Sequence, residues 1–130
     1  MYHYTALVTV LAGAALFYAS FRVGRARTRY GIKAPATTGN PDFERVFRAH
    51  MNMLEWMPIF LPALWLFAIY VSDAIAALLG LIWIAGRIVY LHAYAQAPEK
   101  RRAGFATQAL AGFALLIGAL VAILGRIVHG

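Results

Sequence analysis

Four long stretches of this 130-residue chain carry almost no charge: Tyr4 to Phe21, Trp56 to Ser72, Ala74 to Ala97 with only Arg87 and His92 inside it, and Ala103 to Gly125. Each is close to the ~20 residues that a helix needs to cross a hydrocarbon core of ~30 Å. The fold class that follows is an all-α membrane protein, a bundle of four transmembrane helices. They are expected over about 4–28, 43–71, 74–97 and 103–128 in one domain spanning 1–130. Composition agrees: 62% of residues are hydrophobic and 13% charged, against about 45–50% and about 25% in soluble domains. Basic residues follow the first apolar run instead of preceding it, the reverse of a secretory signal, so helix one is expected in the mature protein.

The formal charge of +7 would suggest nucleic acid in a soluble chain, but its distribution argues for a membrane and against nucleic acid. Arg22, Arg25, Arg27, Arg29, Lys33, Arg45 and Arg48 surround the first connection, and Lys100, Arg101 and Arg102 the third. Two crossings separate these connections, so they share a membrane face, and the positive-inside rule makes that face cytoplasmic. A basic rim of this kind also attracts anionic lipid head groups. The chain has no cysteine, so thiolate metal sites are excluded, no metal is expected, and any thiol chemistry must use a thiol brought by a substrate.

One window breaks the apolar pattern. Between Gly39 and Phe60 the chain places Glu44, Arg45, Arg48, His50, Asn52 and Glu55 on what should be a single helix, and charge at membrane depth is costly and seldom without function. On a helical wheel Glu44, Arg48, Asn52 and Glu55 fall at about 0°, 40°, 80° and 20°, one polar face. Arg87, Tyr90 and Tyr94 lie within about 60° of one another on helix three, and Arg101 would join them if that helix continued. Pro58 and Pro62 follow where polar turns to apolar, and a kink is expected there.

An internal ion-pair network, Glu44 with Arg48 and Glu55 with Arg87 or Arg48, is the simplest use of these groups. The count goes against it as a full account, because Arg27, Arg48, Arg87 and Arg101 outnumber Glu44 and Glu55. Surplus guanidinium asks for an external anion. The side chains together call for carboxylates, an ammonium for Glu55, amides for Asn52, and hydroxyl or amide partners for Tyr90 and Tyr94. Glutathione carries all of these and a thiol, which an adjacent arginine would hold as thiolate.

The stretch FERVFRAHMNMLEWMPIFLPALW, Phe43 to Trp65, with its E-R-x-x-R-A-x-x-N-x-x-E pattern followed by P-x-F, resembles the second-helix signature of the MAPEG superfamily. These are the membrane-associated proteins in eicosanoid and glutathione metabolism. GRIVYLHAY, Gly86 to Tyr94, and KRRAGF, Lys100 to Phe105, resemble helix three and the bacterial-type start of helix four in the members of microsomal glutathione transferase and leukotriene-C synthase type. The resemblance covers nearly the whole chain. It implies a homotrimer with glutathione as co-substrate, bound between subunits near the cytoplasmic face. Arg48, Asn52, Glu55, Trp56, Arg87, Tyr90 and Tyr94 would be glutathione contacts from one subunit, and Arg27 and His50 from its neighbour. Arg101 would stabilise the thiolate, with Arg102 as the competing choice. Trp56 stands where the leukotriene enzyme has tyrosine, and Thr28 where it has a second arginine.

The function implied is a membrane glutathione transferase acting on lipophilic electrophiles, with reduction of lipid hydroperoxides as a variant, in a bacterial inner membrane. A non-catalytic lipid-binding scaffold of the same superfamily is one alternative, although a scaffold need not keep Arg48, Arg87 and Arg101. A small four-helix drug exporter is another, but it needs an acidic residue in helix one, where this chain has none.

Overall fold

The computed structural model describes residues 1–130, the side chain of Pro98 excepted. It contains α1 (His3–Tyr30), α2 (Pro41–Tyr70), α3 (Asp73–Gln96) and α4 (Arg102–His129), with one 3₁₀ turn, Pro98–Arg101, ahead of α4. All four helices are long and apolar enough to cross a membrane. Successive helices run antiparallel. The α1–α2 and α3–α4 connections therefore lie at one end of the bundle, and the α2–α3 turn and both termini at the other.

The connections have identifiable local causes. α1 ends at Gly31, whose φ of 70° is left-handed, a conformation that glycine adopts without a Cβ penalty. α2 begins where the Asn40 side-chain oxygen accepts the N–H groups of Asp42 at 2.9 Å and Phe43 at 3.1 Å, with Pro41 at the first helical position, where no N–H is needed. Only Val71 and Ser72 separate α2 from α3, and Ser72 Oγ accepts the Ile75 N–H at 3.2 Å. The helix of α2 is continuous through both Pro58 and Pro62. At 30 residues it is ~45 Å long, longer than a hydrocarbon core.

α1 and α4 both pack on the α2–α3 pair. The buried residues of α1, namely Thr5, Val8, Ala12, Ala15, Ala19, Val23 and Ala26, recur every three or four positions, the spacing of left-handed helix packing. Four alanines in that stripe let α1 approach closely. Farther in, the Phe60 and Trp83 rings stack with centroids 3.9 Å apart, between Met53, Met57, Leu64 and Leu115. The outside is also apolar: Phe17 is 77% exposed and Leu110 71%, surfaces that only lipid or another chain can cover favourably.

The first turn of α1 is tied from outside its own helix. Asp73, at the start of α3, accepts the N–H of Tyr4 through Oδ2 at 3.2 Å and that of Thr5 through Oδ1 at 2.9 Å. Free amide groups of one helix end are thus satisfied by a carboxylate 68 residues away in sequence.

Candidate functional site

Arg87 is the central side chain. It sits on α3, is fully buried, and donates from Nη1 to Asn52 Oδ1 on α2 at 2.9 Å. Its Cζ lies 4.4 Å from the Tyr90 ring centroid, a cation–π contact in a desolvated setting. Its Nε and Nη2 are buried with no hydrogen-bond partner among the described residues. Buried charge normally finds a full set of partners, so this guanidinium holds donors in reserve.

Beside Arg87, a pocket of 460 Å³ opens among α2, α3 and the start of α4. Arg48 and Asn52 line it from α2, and Tyr90 and Tyr94 from α3; Arg101, Arg102 and Phe105 close it from the 3₁₀ turn and α4. Tyr90 and Tyr94 stack with centroids 5.5 Å apart, and the Arg101 guanidinium lies 5.7 Å from the Tyr94 centroid. A second pocket of 430 Å³ shares Arg48 and Tyr94 and adds Glu44, Arg45 and Thr37.

Two glycines set this geometry. A Cβ on Gly104 would lie 2.6 Å from the Tyr90 backbone N and 2.7 Å from the Gly86 carbonyl oxygen, and one on Gly86 would lie 2.8 Å from the Gln108 backbone N. α3 and α4 therefore touch backbone to backbone at this crossing. The contact brings Phe105 to 6.1 Å from Tyr90, and Trp56 edge-on to Phe105 at 5.9 Å.

The structure brings together Arg48, Asn52, Arg87, Tyr90, Tyr94, Arg101 and Arg102. Arg101 does so without an extension of α3, which ends at Gln96. Ala97, ahead of a proline, is extended, and the 3₁₀ turn delivers Arg101 to the same face. Glu55 joins through Arg48, whose Nη2 lies 3.4 Å from its Oε1, with both side chains about half exposed. Glu44 makes no pair with Arg48 among the described residues; its Oε2 accepts the Gly39 N–H at 3.3 Å.

Arg27, His50 and Trp56 stand apart from the polar pocket of their own chain. Arg27 donates to the Ala36 carbonyl at 2.8 Å and lies over the Phe43 ring. His50 is on another face of α2, its Nδ1 buried with no partner among the described residues. Trp56 lines an apolar pocket of 190 Å³ with Ile59, Phe60, Trp83, Gly112 and Phe113.

Two residues escaped sequence reasoning. Phe105 reads as one more lipid-facing aromatic, and only its position four residues after Arg101 hints at the site. Gln108 is fully buried with both side-chain polar atoms unpartnered among the described residues. As the one amide between Ala103 and Gly125, it could have been singled out. No group of three or more His, Asp or Glu side chains suited to a metal occurs among the described residues.

The lining is cationic and aromatic: three arginines stand at the pocket wall and a fourth behind it, with no carboxylate in the wall itself and Glu55 reached through Arg48. Such a site receives an anion with planar oxygens and leaves room for apolar atoms beside it. Four spanning helices with an anion-receptive pocket at one end define an integral, multi-pass membrane protein. The chain belongs to the MAPEG family, whose pattern matches residues 5–129. It is 52% identical to an uncharacterized protein of Synechocystis sp., over 94% of this chain and 89% of that one. Human microsomal glutathione S-transferase 2 is 43% identical over 77% of this chain and 68% of its own. Leukotriene C4 synthase of Cavia porcellus is 39% identical over 95% and 81%.

Proposed function

We propose that this protein is a membrane glutathione transferase that joins glutathione to lipophilic electrophiles. One observation carries the reading most: the fully buried Arg87, held by Asn52 with donors to spare, behind a pocket walled by Arg48, Arg101 and Arg102. Family membership and likeness to a microsomal glutathione S-transferase supply the ligand. The glutathione carboxylates meet the arginines, its ammonium meets Glu55, and its peptide groups meet Asn52, Tyr90 and Tyr94. Its thiol lies toward Arg101, with Arg102 the competing position.

The arginine favours thiolate over a thiol of pKa ~8.5, and the proton leaves to water. With an aromatic halide, the sulfur attacks the ring carbon bearing the halogen, the S–C bond forms, and halide departs. The apolar pocket at Trp56 and Phe113 shelters the electrophile, and the Trp56–Phe105 contact lies between the two chambers. With a lipid hydroperoxide the thiolate attacks the terminal oxygen, the O–O bond breaks and the lipid leaves as its alcohol after taking up a proton; a second glutathione then attacks the resulting sulfenic acid, giving the disulfide and releasing water.

The working unit is a homotrimer, in which Arg27 and His50 of a neighbour complete the site. That arrangement accords with their placement away from the pocket of their own chain. The arginine-rich end faces the cytoplasm of a bacterial inner membrane. Stopped-flow absorbance of thiolate on mixing with glutathione tests the reading. Thiolate forms in the wild type, and Arg101→Ala loses it while Arg102→Ala keeps it. Absence of glutathione binding at millimolar concentration would overturn the proposal, and equal behaviour of all three proteins would overturn the thiolate assignment.

A further inference from the structure

Arg22, Arg25 and Arg29 lie within about 60° of one another on α1 and wall a separate pocket of 290 Å³ with Tyr30 and Val46. No acidic side chain lines it. The two ion pairs found among the described residues, Arg45 with Asp42 and Arg48 with Glu55, involve none of the three. Arginines at a helix C-terminus suit its dipole, and a basic rim suits a cytoplasmic face. Neither explains why three of them share one cavity while Arg27, in the same turns, points away and bonds the Ala36 carbonyl.

The surface below explains it better. On the same face of α1, running toward its N-terminus, come Tyr18, Leu11 and Leu7, which are 39%, 40% and 57% exposed. Arg22 to Leu11 spans ~16 Å of helix, about half of a ~30 Å hydrocarbon core. A three-guanidinium cup thus stands at the head of a largely apolar track one leaflet deep, whose polar exception, the Tyr18 hydroxyl, is already paired with His92 Nε2 at 3.2 Å. A free anion needs only the cup; a lipid needs both.

We propose that Arg22, Arg25 and Arg29 form a binding site for the phosphate of an anionic glycerophospholipid, whose acyl chain lies along Tyr18, Leu11 and Leu7. The guanidiniums give paired N–H donors to the phosphate oxygens, and Val46 and Ala26 form the apolar floor. The site is separate from the glutathione pocket and stands whether or not that reading holds.

Electron paramagnetic resonance of the protein in phosphatidylcholine vesicles, with traces of spin-labelled phosphatidylglycerol or phosphatidylcholine, tests this through the motionally restricted fraction of each probe. With ~1 kcal/mol for each basic group near an anionic head group, the wild type should prefer phosphatidylglycerol at least about threefold. Arg22→Gln/Arg25→Gln should lose the preference. Lys33→Gln/Lys100→Gln, which removes equal charge from the same rim, should keep it. All substituted side chains lie at or near the surface, and unchanged helicity verifies folding. An unselective wild type, or equal loss in the two double variants, overturns the proposal. Loss of the preference in millimolar inorganic phosphate at matched ionic strength also overturns it, making the cup a free-phosphate site.

Discussion

The Arg87–Asn52 bond holds a buried charge with a single neutral acceptor, and single substitutions separate its two roles. Asn52→Ala leaves the guanidinium without that partner and should lower stability by about 1–3 kcal/mol, read as thermal unfolding in detergent without glutathione. Asn52→Asp supplies a countercharge instead. It should raise the unfolding temperature of the unliganded protein while weakening glutathione binding at least tenfold, because the new carboxylate occupies donors meant for the ligand. A raised unfolding temperature with unchanged glutathione affinity would show that Arg87 serves folding alone. At Arg101 the expectation is kinetic: Arg101→Ala should cut kcat by about 10²–10³, a magnitude typical of losing one stabiliser of developing negative charge, with KM for glutathione changed only modestly.

The α3–α4 crossing is where an element positions the chemistry. Gly104→Ala puts a methyl group 2.6 Å from the Tyr90 backbone N. The helices must part, at about 1–3 kcal/mol, and Tyr90 and Phe105 move with them. Glutathione KM should rise together with the loss in unfolding temperature. Gly125→Ala, with nothing within 4 Å of the new methyl, should leave both unchanged or gain up to ~1 kcal/mol. Much at this scale was legible in the sequence. Apolar run lengths gave the four helices, and periodicity the shared face of Arg48, Asn52 and Glu55. The approach at Gly86 and Gly104 was not, since small residues license close packing without saying which helix arrives. The 3₁₀ turn that delivers Arg101 was hidden too, because a wheel extends a helix past its end. The Glu44–Gly39 bond defeated the i, i+4 pairing rule through a loop amide that no charge pattern reveals.

For the whole molecule, the proposal that neighbouring subunits share the site makes a numerical prediction. Arg27→Ala and Arg101→Ala protomers should each be nearly inactive as homotrimers. Co-expressed in equal amounts, they should regain about a quarter of wild-type conjugation, the statistical share of sites in random trimers that draw an intact Arg101 from one subunit and an intact Arg27 from the next. No recovery would place both arginines in one chain's site, and an active Arg27→Ala homotrimer would remove Arg27 from it. The carboxylate of Asp73 has a consequence at this scale as well. The amides of Tyr4 and Thr5 gain their acceptor only when α3 begins on the membrane face where α1 began. A first helix threaded backwards would carry Arg25, Arg27 and Arg29 to the wrong side and leave its opening amides without that carboxylate. Asp73→Ala removes that acceptor, and it should raise the misoriented fraction in a protease-protection assay while leaving α2 and α3 correctly threaded.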